Sequence, residues 1–309
     1  MRADVWVVPV RVVGAPAMRV LLTGGTGFIG GAVARALRAA GHDVTIVSRR
    51  PGHVQAKAIA WDGVGAAMAE TDAVVNLAGE SIAAGRWTAK RKAAIFASRV
   101  DATRVIVEAI HRASTRPRVL VNASAIGFYG PHGDEVLDEN AQAGDDFLAE
   151  ICRRWEAEAF RARHFDVRVV ALRFGVVLGP GGGALSKMLI PFRACLGGRL
   201  GNGKQWMSWI HRNDVVGLVV AAIGNDAYAG PVNATAPSPV RNREFTAALG
   251  RAVHRPALLP VPGIALQLAL GEMASMLLTG QRVMPAAATA AGYAFEHPEI
   301  GGALAASVD

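Results

Sequence analysis

The stretch TGGTGFIG, Thr23 to Gly30, constrains this chain more than any other. It follows a short apolar run, Arg19–Thr23, and opens a segment, Gly31–Ala40, in which Val33, Ala34 and Leu37 recur at helical spacing before Gly41 stops it. A strand that turns through glycines into a helix presents backbone N–H groups and the positive end of a helix dipole, which is what a pyrophosphate needs. Gly24 permits the tight turn, Gly27 puts no Cβ in the way of a diphosphate, and Gly30 lets the helix pack close on the strand. The Thr26 hydroxyl is a further donor. The spacing is G-x-x-G-x-x-G rather than the commoner G-x-G-x-x-G, so the context carries the weight. That context is a strand before, a helix after, and a second β-rich run, Asp43–Ser48, at about the spacing a βαβ dinucleotide-binding unit requires.

In such units an Asp or Glu at the end of the second strand binds the ribose hydroxyls of NAD. Here the position reads Ser48–Arg49–Arg50. No carboxylate is present to repel a 2′-phosphate, Arg49 can pair with one, and Ser48 can donate a hydrogen bond. The residues therefore predict NADP(H) rather than NAD(H).

Further along, apolar runs alternate with helical patterns. Ala58–Asp62, Asp72–Leu77, Arg118–Ala123 and Val167–Leu172 read as strands, and Ala89–Arg112 and Asp145–Arg163 as helices. Near-continuous apolar strands between helices predict an α/β fold: a Rossmann-type doubly wound parallel sheet covered on both faces. After Gly175 the chain turns Gly-rich, a helix at Asn213–Ile223 returns to the sheet, and helices follow at Arg243–Val253, Gly263–Leu278 and Ala286–Gly292. The expected organisation is an N-terminal extension over 1–17, a dinucleotide-binding domain over 18–235, and a small, mostly helical lobe over 236–309 that completes a substrate cleft. Residues 1–17 carry an apolar run interrupted by Pro9 and Arg11, a poor signal-peptide core, and read as an extension ahead of the domain that starts at Met18.

Composition excludes some classes. With 51% hydrophobic and 19% charged residues the chain is not disordered, and no apolar run reaches the ~20 residues of a membrane span. Two cysteines, Cys152 and Cys195, make neither a disulfide framework nor a metal knuckle, which fits a cytoplasmic protein without a metal site. The net charge of +8 favours anionic partners, but the basic residues are scattered apart from Arg86–Arg91 and Arg241–Arg255, and no nucleic-acid motif accompanies them. A small-molecule substrate is expected; the oligomeric state is not readable.

With NLAG at Asn76–Gly79, SAIGFYG at Ser124–Gly130 and LRFGVVLGP at Leu172–Pro180 beside the glycine loop, the chain resembles the extended short-chain dehydrogenase/reductase superfamily. More closely it is similar to an atypical branch, the epimerase-family proteins with a C-terminal domain of unknown function. GESI at Gly79–Ile82, SRVDATR at Ser98–Arg104, GDDFLAEICRRWE at Gly144–Glu156, GGGALSKMLIPF at Gly181–Phe192 and GNGKQWMSWIHRNDV at Gly201–Val215 carry that likeness, with further segments to the chain's end. The resemblance implies that the loop Thr23, Gly24, Thr26, Gly27, Phe28, Ile29 and Gly30 holds the diphosphate. It implies also that Ser48 and Arg49, with Arg50 beside them, face a 2′-phosphate, and that Leu77, Ala78 and Gly79 follow the adenosine by backbone contacts. Arg99 resembles an arginine that reaches the cofactor, and Val176 a position near the nicotinamide.

Competent members of the superfamily use a Tyr and a Lys four residues apart, in which the Lys lowers the Tyr pKa for proton exchange, and a Ser that polarises the substrate. Ser124 stands where that Ser belongs, but the expected Tyr–Lys helix reads Phe147 to Cys152, Gly133 stands four residues beyond Tyr129, and Arg99 replaces the helix Asn. Three readings stay open. A variant oxidoreductase or epimerase uses other groups, with Tyr129 as acid at the mouth of the sheet and Glu80, Asp145, Asp146, His211 or Asp214 as partners. A non-catalytic NADP(H) sensor or regulator, of the cell-division kind some relatives suggest, binds without turnover. A structural partner keeps the cofactor for stability. Tyr129 also reads as a ring packed under its loop, His211 and Asp214 as helix-terminal residues, and Arg173 as holding a loop or an internal carboxylate.

Overall fold

The structure is a computed structural model that describes residues 16–308, so the extension read at 1–17 lies outside the described residues but for Pro16 and Ala17. Seven strands form the central sheet: β1 (Arg19–Thr23), β2 (Asp43–Val47), β3 (Ala58–Ile59), β4 (Ala73–Asn76), β5 (Val119–Ala125), β6 (Arg168–Phe174) and β7 (Gly230–Ala234). They run in the order β7-β6-β5-β4-β1-β2-β3 and every pairing is parallel. The chain's direction of winding therefore reverses between β1 and β4, where open α/β sheets bind ligands.

Because successive side chains on a strand point to opposite faces, each strand feeds two cores. Val20 and Leu22 of β1 pack with Val33 and Leu37 of helix α1 (Gly30–Ala39), whereas Leu21 packs on the other face with Met68 of α2 (Val64–Met68). The doubly wound fold expected from the apolar strands is present.

The helix expected over Ala89–Arg112 is two, α3 (Ala89–Ala97) and α4 (Val100–Arg112). The break is at Ser98 and Arg99, whose side chains compete with the backbone ladder. Ser98 Oγ donates to the Ile95 carbonyl at 3.0 Å and accepts the Glu80 N–H at 3.1 Å; Arg99 donates to the Ile95 and Glu80 carbonyls at 3.2 and 2.9 Å. The third strand is shorter than its apolar run suggests, since a 3-10 turn takes over at Trp61–Gly63. Helices α5 (Phe147–Phe160), α6 (Gly183–Arg193), α7 (Arg212–Gly224) and α8 (Asn242–Ala252) follow. The helix expected over Gly263–Leu278 ends first at Leu270, because Gly271 adopts a left-handed φ of +62°.

Residues before 236 contribute to the second lobe as well as those after it. Its core joins Phe245, Ala248 and Leu249 of α8 and Ala303 and Leu304 of the last helix, Ile300–Val308, to Leu178, Leu185, Leu189, Phe192 and Trp209, which precede β7 in the chain. Short strands at Val176–Leu178 and Trp209–His211 pair in parallel and carry the chain out to that lobe and back. Among the described residues no helix is long and apolar enough to cross a membrane.

Candidate dinucleotide-binding site

The turn from β1 into α1 is built by close approach. Gly24 has a φ of +68°, and a Cβ on it would stand 2.4 Å from the Leu77 carbonyl oxygen at the end of β4. A Cβ on Gly30 would stand 2.2 Å from the Gly24 oxygen. Both contacts are forbidden to any side chain, so these two glycines bring the loop against the strand ends. Gly27 donates to the Gly24 carbonyl at 2.9 Å and Gly31 to that of Gly27 at 2.9 Å. The N–H groups of Phe28 and Ile29 take up no acceptor among the described residues, and α1 opens with no side-chain cap and no acid in its first turn. Free donors at the positive end of a helix, uncluttered by a Cβ or a carboxylate, fit a diphosphate.

Of the loop's residues, Thr26 and Gly27 are exposed and Phe28 and Ile29 half-buried. Thr23 is not a contact surface. It is fully buried, and its hydroxyl donates to Asn76 Oδ1 at 2.6 Å while accepting the Leu77 and Ala78 N–H groups, each at 3.1 Å. Asn76 passes the network on, donating to Thr103 Oγ1 at 2.8 Å and Asn122 Oδ1 at 2.6 Å. This buried chain fixes the Leu77–Gly79 turn from behind. Asn76 and Asn122 escaped the sequence reading, although an Asn inside an apolar strand is itself a signal, since a buried amide needs partners.

At the end of β2, Ser48 Oγ accepts the Arg50 N–H at 3.1 Å, and Arg49 and Arg50 are exposed. Arg99 lies under the Leu77–Gly79 turn, since a Cβ on Gly79 would stand 3.2 Å from its Cζ. Its guanidinium stacks over Trp155 at 5.3 Å, and burial lowers its pKa. Val176 is half-buried at the start of its short strand, its N–H donating to the Ser208 carbonyl at 2.9 Å. Phe28 reaches across to the second lobe: Cβ atoms on Gly182 and Gly183 would stand 2.5 and 2.8 Å from its ring. Those glycines let the Gly179–Gly183 strap close over the phosphate loop.

Tyr129 does not stand at the mouth of the sheet, and Ser124 is buried beside it. Ser124 and Tyr129 are 2% and 0% exposed and belong to one buried network. Ser124 Oγ donates to Glu156 Oε1 at 2.6 Å; Arg173 pairs with both Glu156 oxygens at 2.8 Å; Arg173 Nη1 donates to the Tyr129 hydroxyl at 2.9 Å; and that hydroxyl donates to Asn233 Oδ1 at 2.7 Å. Burial raises the Tyr129 pKa, outweighing the nearby Arg173, so the phenol stays protonated. This corrects the expected position of Tyr129 as an accessible acid: its partners are Asn233 and Arg173, both distant in sequence.

The other candidate acids and bases, Asp145 apart, also have structural partners. Glu80 pairs with Arg91 at 2.6 Å, and Asp146 caps α5 by accepting the Ala149 N–H at 2.8 Å. Asp214 accepts the N–H groups of Glu296 and His297 at 2.7 and 3.1 Å and so pins the chain after Tyr293 to α7. His211 caps α7, its Nδ1 accepting the Asn213 N–H at 3.2 Å, and burial lowers its pKa to about 3. Asp145 is exposed. Trp209 is a core residue, Trp87 packs edge-on to Phe147, and the guanidinium groups of Arg241 and Arg282 both lie over the Trp206 ring. Among the described residues no group of three or more metal-ligating side chains occurs.

A doubly wound parallel sheet with a glycine turn at its switch point defines a dinucleotide-binding α/β protein. The chain belongs to the NAD dependent epimerase/dehydratase family, whose profile matches residues 20–234; a domain of unknown function matches residues 261–307. It is 43% identical over 301 residues to a chloroplastic epimerase family protein SDR39U1 homolog of Arabidopsis thaliana, covering 94% of this chain and 86% of that one. An epimerase family protein of Bacillus subtilis is 39% identical over 93% of this chain and 97% of its own. The crystal structure of human epimerase family protein SDR39U1 with NADPH matches with a TM-score of 0.89 at 41% identity, over 93% of this chain and 98% of that chain.

Proposed function

We propose that the chain is an NADP(H)-dependent oxidoreductase or epimerase acting on a small-molecule substrate. The observation that carries this is the end of β2, where Ser48, Arg49 and Arg50 occupy the position at which a carboxylate would select the ribose diol. Two exposed guanidinium groups beside a hydroxyl suit a 2′-phosphate. The human relative's structure with NADPH supports the same choice. Bound NADPH supplies a hydride from its nicotinamide. The turn Gly24–Gly30 holds the diphosphate, the Leu77–Gly79 backbone follows the adenosine, and Val176 lies toward the nicotinamide end. Ser124 and Tyr129 act as positioning residues that tie the end of β5 to Glu156 and Asn233, so that the strand ends keep their spacing. Two unpaired thiols, Cys152 buried and Cys195 exposed, suit the cytoplasm.

Fluorescence titration tests the cofactor assignment: NADPH binds at least tenfold more tightly than NADH, and Arg49→Gln removes most of that preference. Equal affinities in the unaltered protein would defeat it. A screen of carbonyl compounds with NADPH then tests turnover. Tyr129→Phe retains NADPH affinity within twofold, because the phenol lies behind the site rather than in it.

A further inference from the structure

Among the described residues one buried guanidinium has no counter-charge, and it lies against the phosphate loop. Arg212, the first residue of α7, is 9% exposed. Its Cζ stands 5.0 Å from the centre of the Phe28 ring, and its Nη1 donates to the Pro180 carbonyl at 2.9 Å. Its Nε is buried and meets no acceptor. Burial and the charge of Arg35 both lower its pKa, and no carboxylate raises it. The acid nearest in sequence, Asp214, is engaged by the N–H groups of Glu296 and His297. Arg173, also buried, is matched by both oxygens of Glu156. Arg35 folds back along α1, its Nη1 3.7 Å from where a Cβ on Gly31 would stand. Two guanidinium groups thus flank the first turn of α1, whose own dipole is positive there.

A buried cation without a counter-charge destabilises a fold, and a second cation and a helix N-terminus beside it add to that cost. The arrangement becomes favourable when an anion joins it. We propose that Arg212 is a cofactor-binding residue whose guanidinium neutralises the dinucleotide's diphosphate from the second-lobe side of the phosphate loop. The Pro180 carbonyl aims the group and the Phe28 ring supports it. Its role is distinct from that of Arg49: a diphosphate is common to NADPH and NADH, whereas a 2′-phosphate belongs to NADPH alone. The inference rests on the cofactor reading above.

The test titrates NADPH and NADH into the unaltered protein, Arg212→Gln, Arg212→Met and Arg49→Gln, with melting temperatures measured without cofactor. Arg212→Met keeps an unbranched apolar stem and removes the guanidinium, with its charge and its bond to the Pro180 carbonyl. Both Arg212 variants are expected to weaken NADPH and NADH by the same factor, about tenfold or more, as loss of a charged hydrogen bond implies. Their cofactor-free melting temperatures stay level or rise, because the unmatched charge is gone. Arg49→Gln weakens NADPH alone. The proposal is overturned if either Arg212 variant keeps both affinities within twofold, if only NADPH is affected, or if both variants melt lower without cofactor. Failure of the unaltered protein to bind either dinucleotide would instead overturn the cofactor reading.

Discussion

Glu156 and Arg173 show how a buried charge sets the fate of its neighbours. Both side chains are 4% exposed, and their two-point contact at 2.8 Å draws in Ser124 and Tyr129, each of which directs its hydroxyl inward. Arg173 also stacks on Phe128, with its Cζ 3.5 Å from the ring centre. Removing one member leaves the other charged in a dry site. Arg173→Met is therefore expected to lower the unfolding free energy by ~3–5 kcal/mol, while the double variant Arg173→Met/Glu156→Met recovers much of that loss. Urea denaturation of the single and double variants measures the coupling; equal stability of all three would show that the pair is not coupled. The same residues explain why the Tyr129 hydroxyl faces inward rather than the mouth of the sheet. A Ser at a strand end and a Tyr five residues on say nothing about a Glu and an Arg that face them from α5 and β6.

Helix ends and strand ends carry most of the site, and their chemistry is local. The His211 ring caps α7 through Nδ1, and burial first, then the charges of His297 and Arg212, lower its pKa from an ordinary 6.5 to about 3. Between those values the unfolded chain binds a proton that the folded chain refuses. Stability from this group is complete above pH 6.5 and is lost progressively as the pH falls toward 3. His211→Asn keeps a capping side chain without the titration, so its urea midpoint should vary less with pH over that window than that of the unaltered protein. Parallel pH profiles would show that another group causes the acid loss. The strap that closes on Phe28 makes a second element-scale prediction. A methyl on Gly182 would stand 2.5 Å from the Phe28 ring, so Gly182→Ala should cost ~1–3 kcal/mol, and Phe28→Ala in the same chain should return part of it. A Gly182→Ala protein as stable as the original would mean the strap and ring do not touch in solution.

At the scale of the molecule, the second lobe is not an appendix. Its core is shared by residues that precede β7 and residues that follow it, with Leu178 and Leu185 from one side and Leu249 and Leu304 from the other. Tyr293 packs its hydroxyl against Gly217 of α7, Asp214 holds the backbone of Glu296 and His297, and Glu139 accepts the N–H groups of both Asn233 and Ala287 at 2.9 and 3.1 Å. These ties predict one cooperative unfolding transition. Leu304→Ala, in a fully buried position of the last helix, should lower it by ~2–5 kcal/mol without splitting it. Two separated transitions in calorimetry would show that the lobes unfold independently.

The glycine turn and the class of sheet were legible because their physics is short-range. Gly24, Gly27 and Gly30 answer to contacts within one strand–turn–helix unit, and an apolar strand flanked by helices can be satisfied only between two layers. The Ser48–Arg49–Arg50 end of β2 was legible for the same reason, since the position follows from counting along one βαβ unit. What only the tertiary structure decided were properties of partners far apart in the chain. Tyr129 became a buried tie because β7 and β6 bring Asn233 and Arg173 to it. Thr23 became a brace behind the site because β4 places Asn76 beside it. Arg212, unremarkable in the sequence, became a buried cation at the phosphate loop because α7 begins where the glycine strap crosses Phe28. Burial and the sign of neighbouring charge belong to the packed chain, and they determine what a side chain can do.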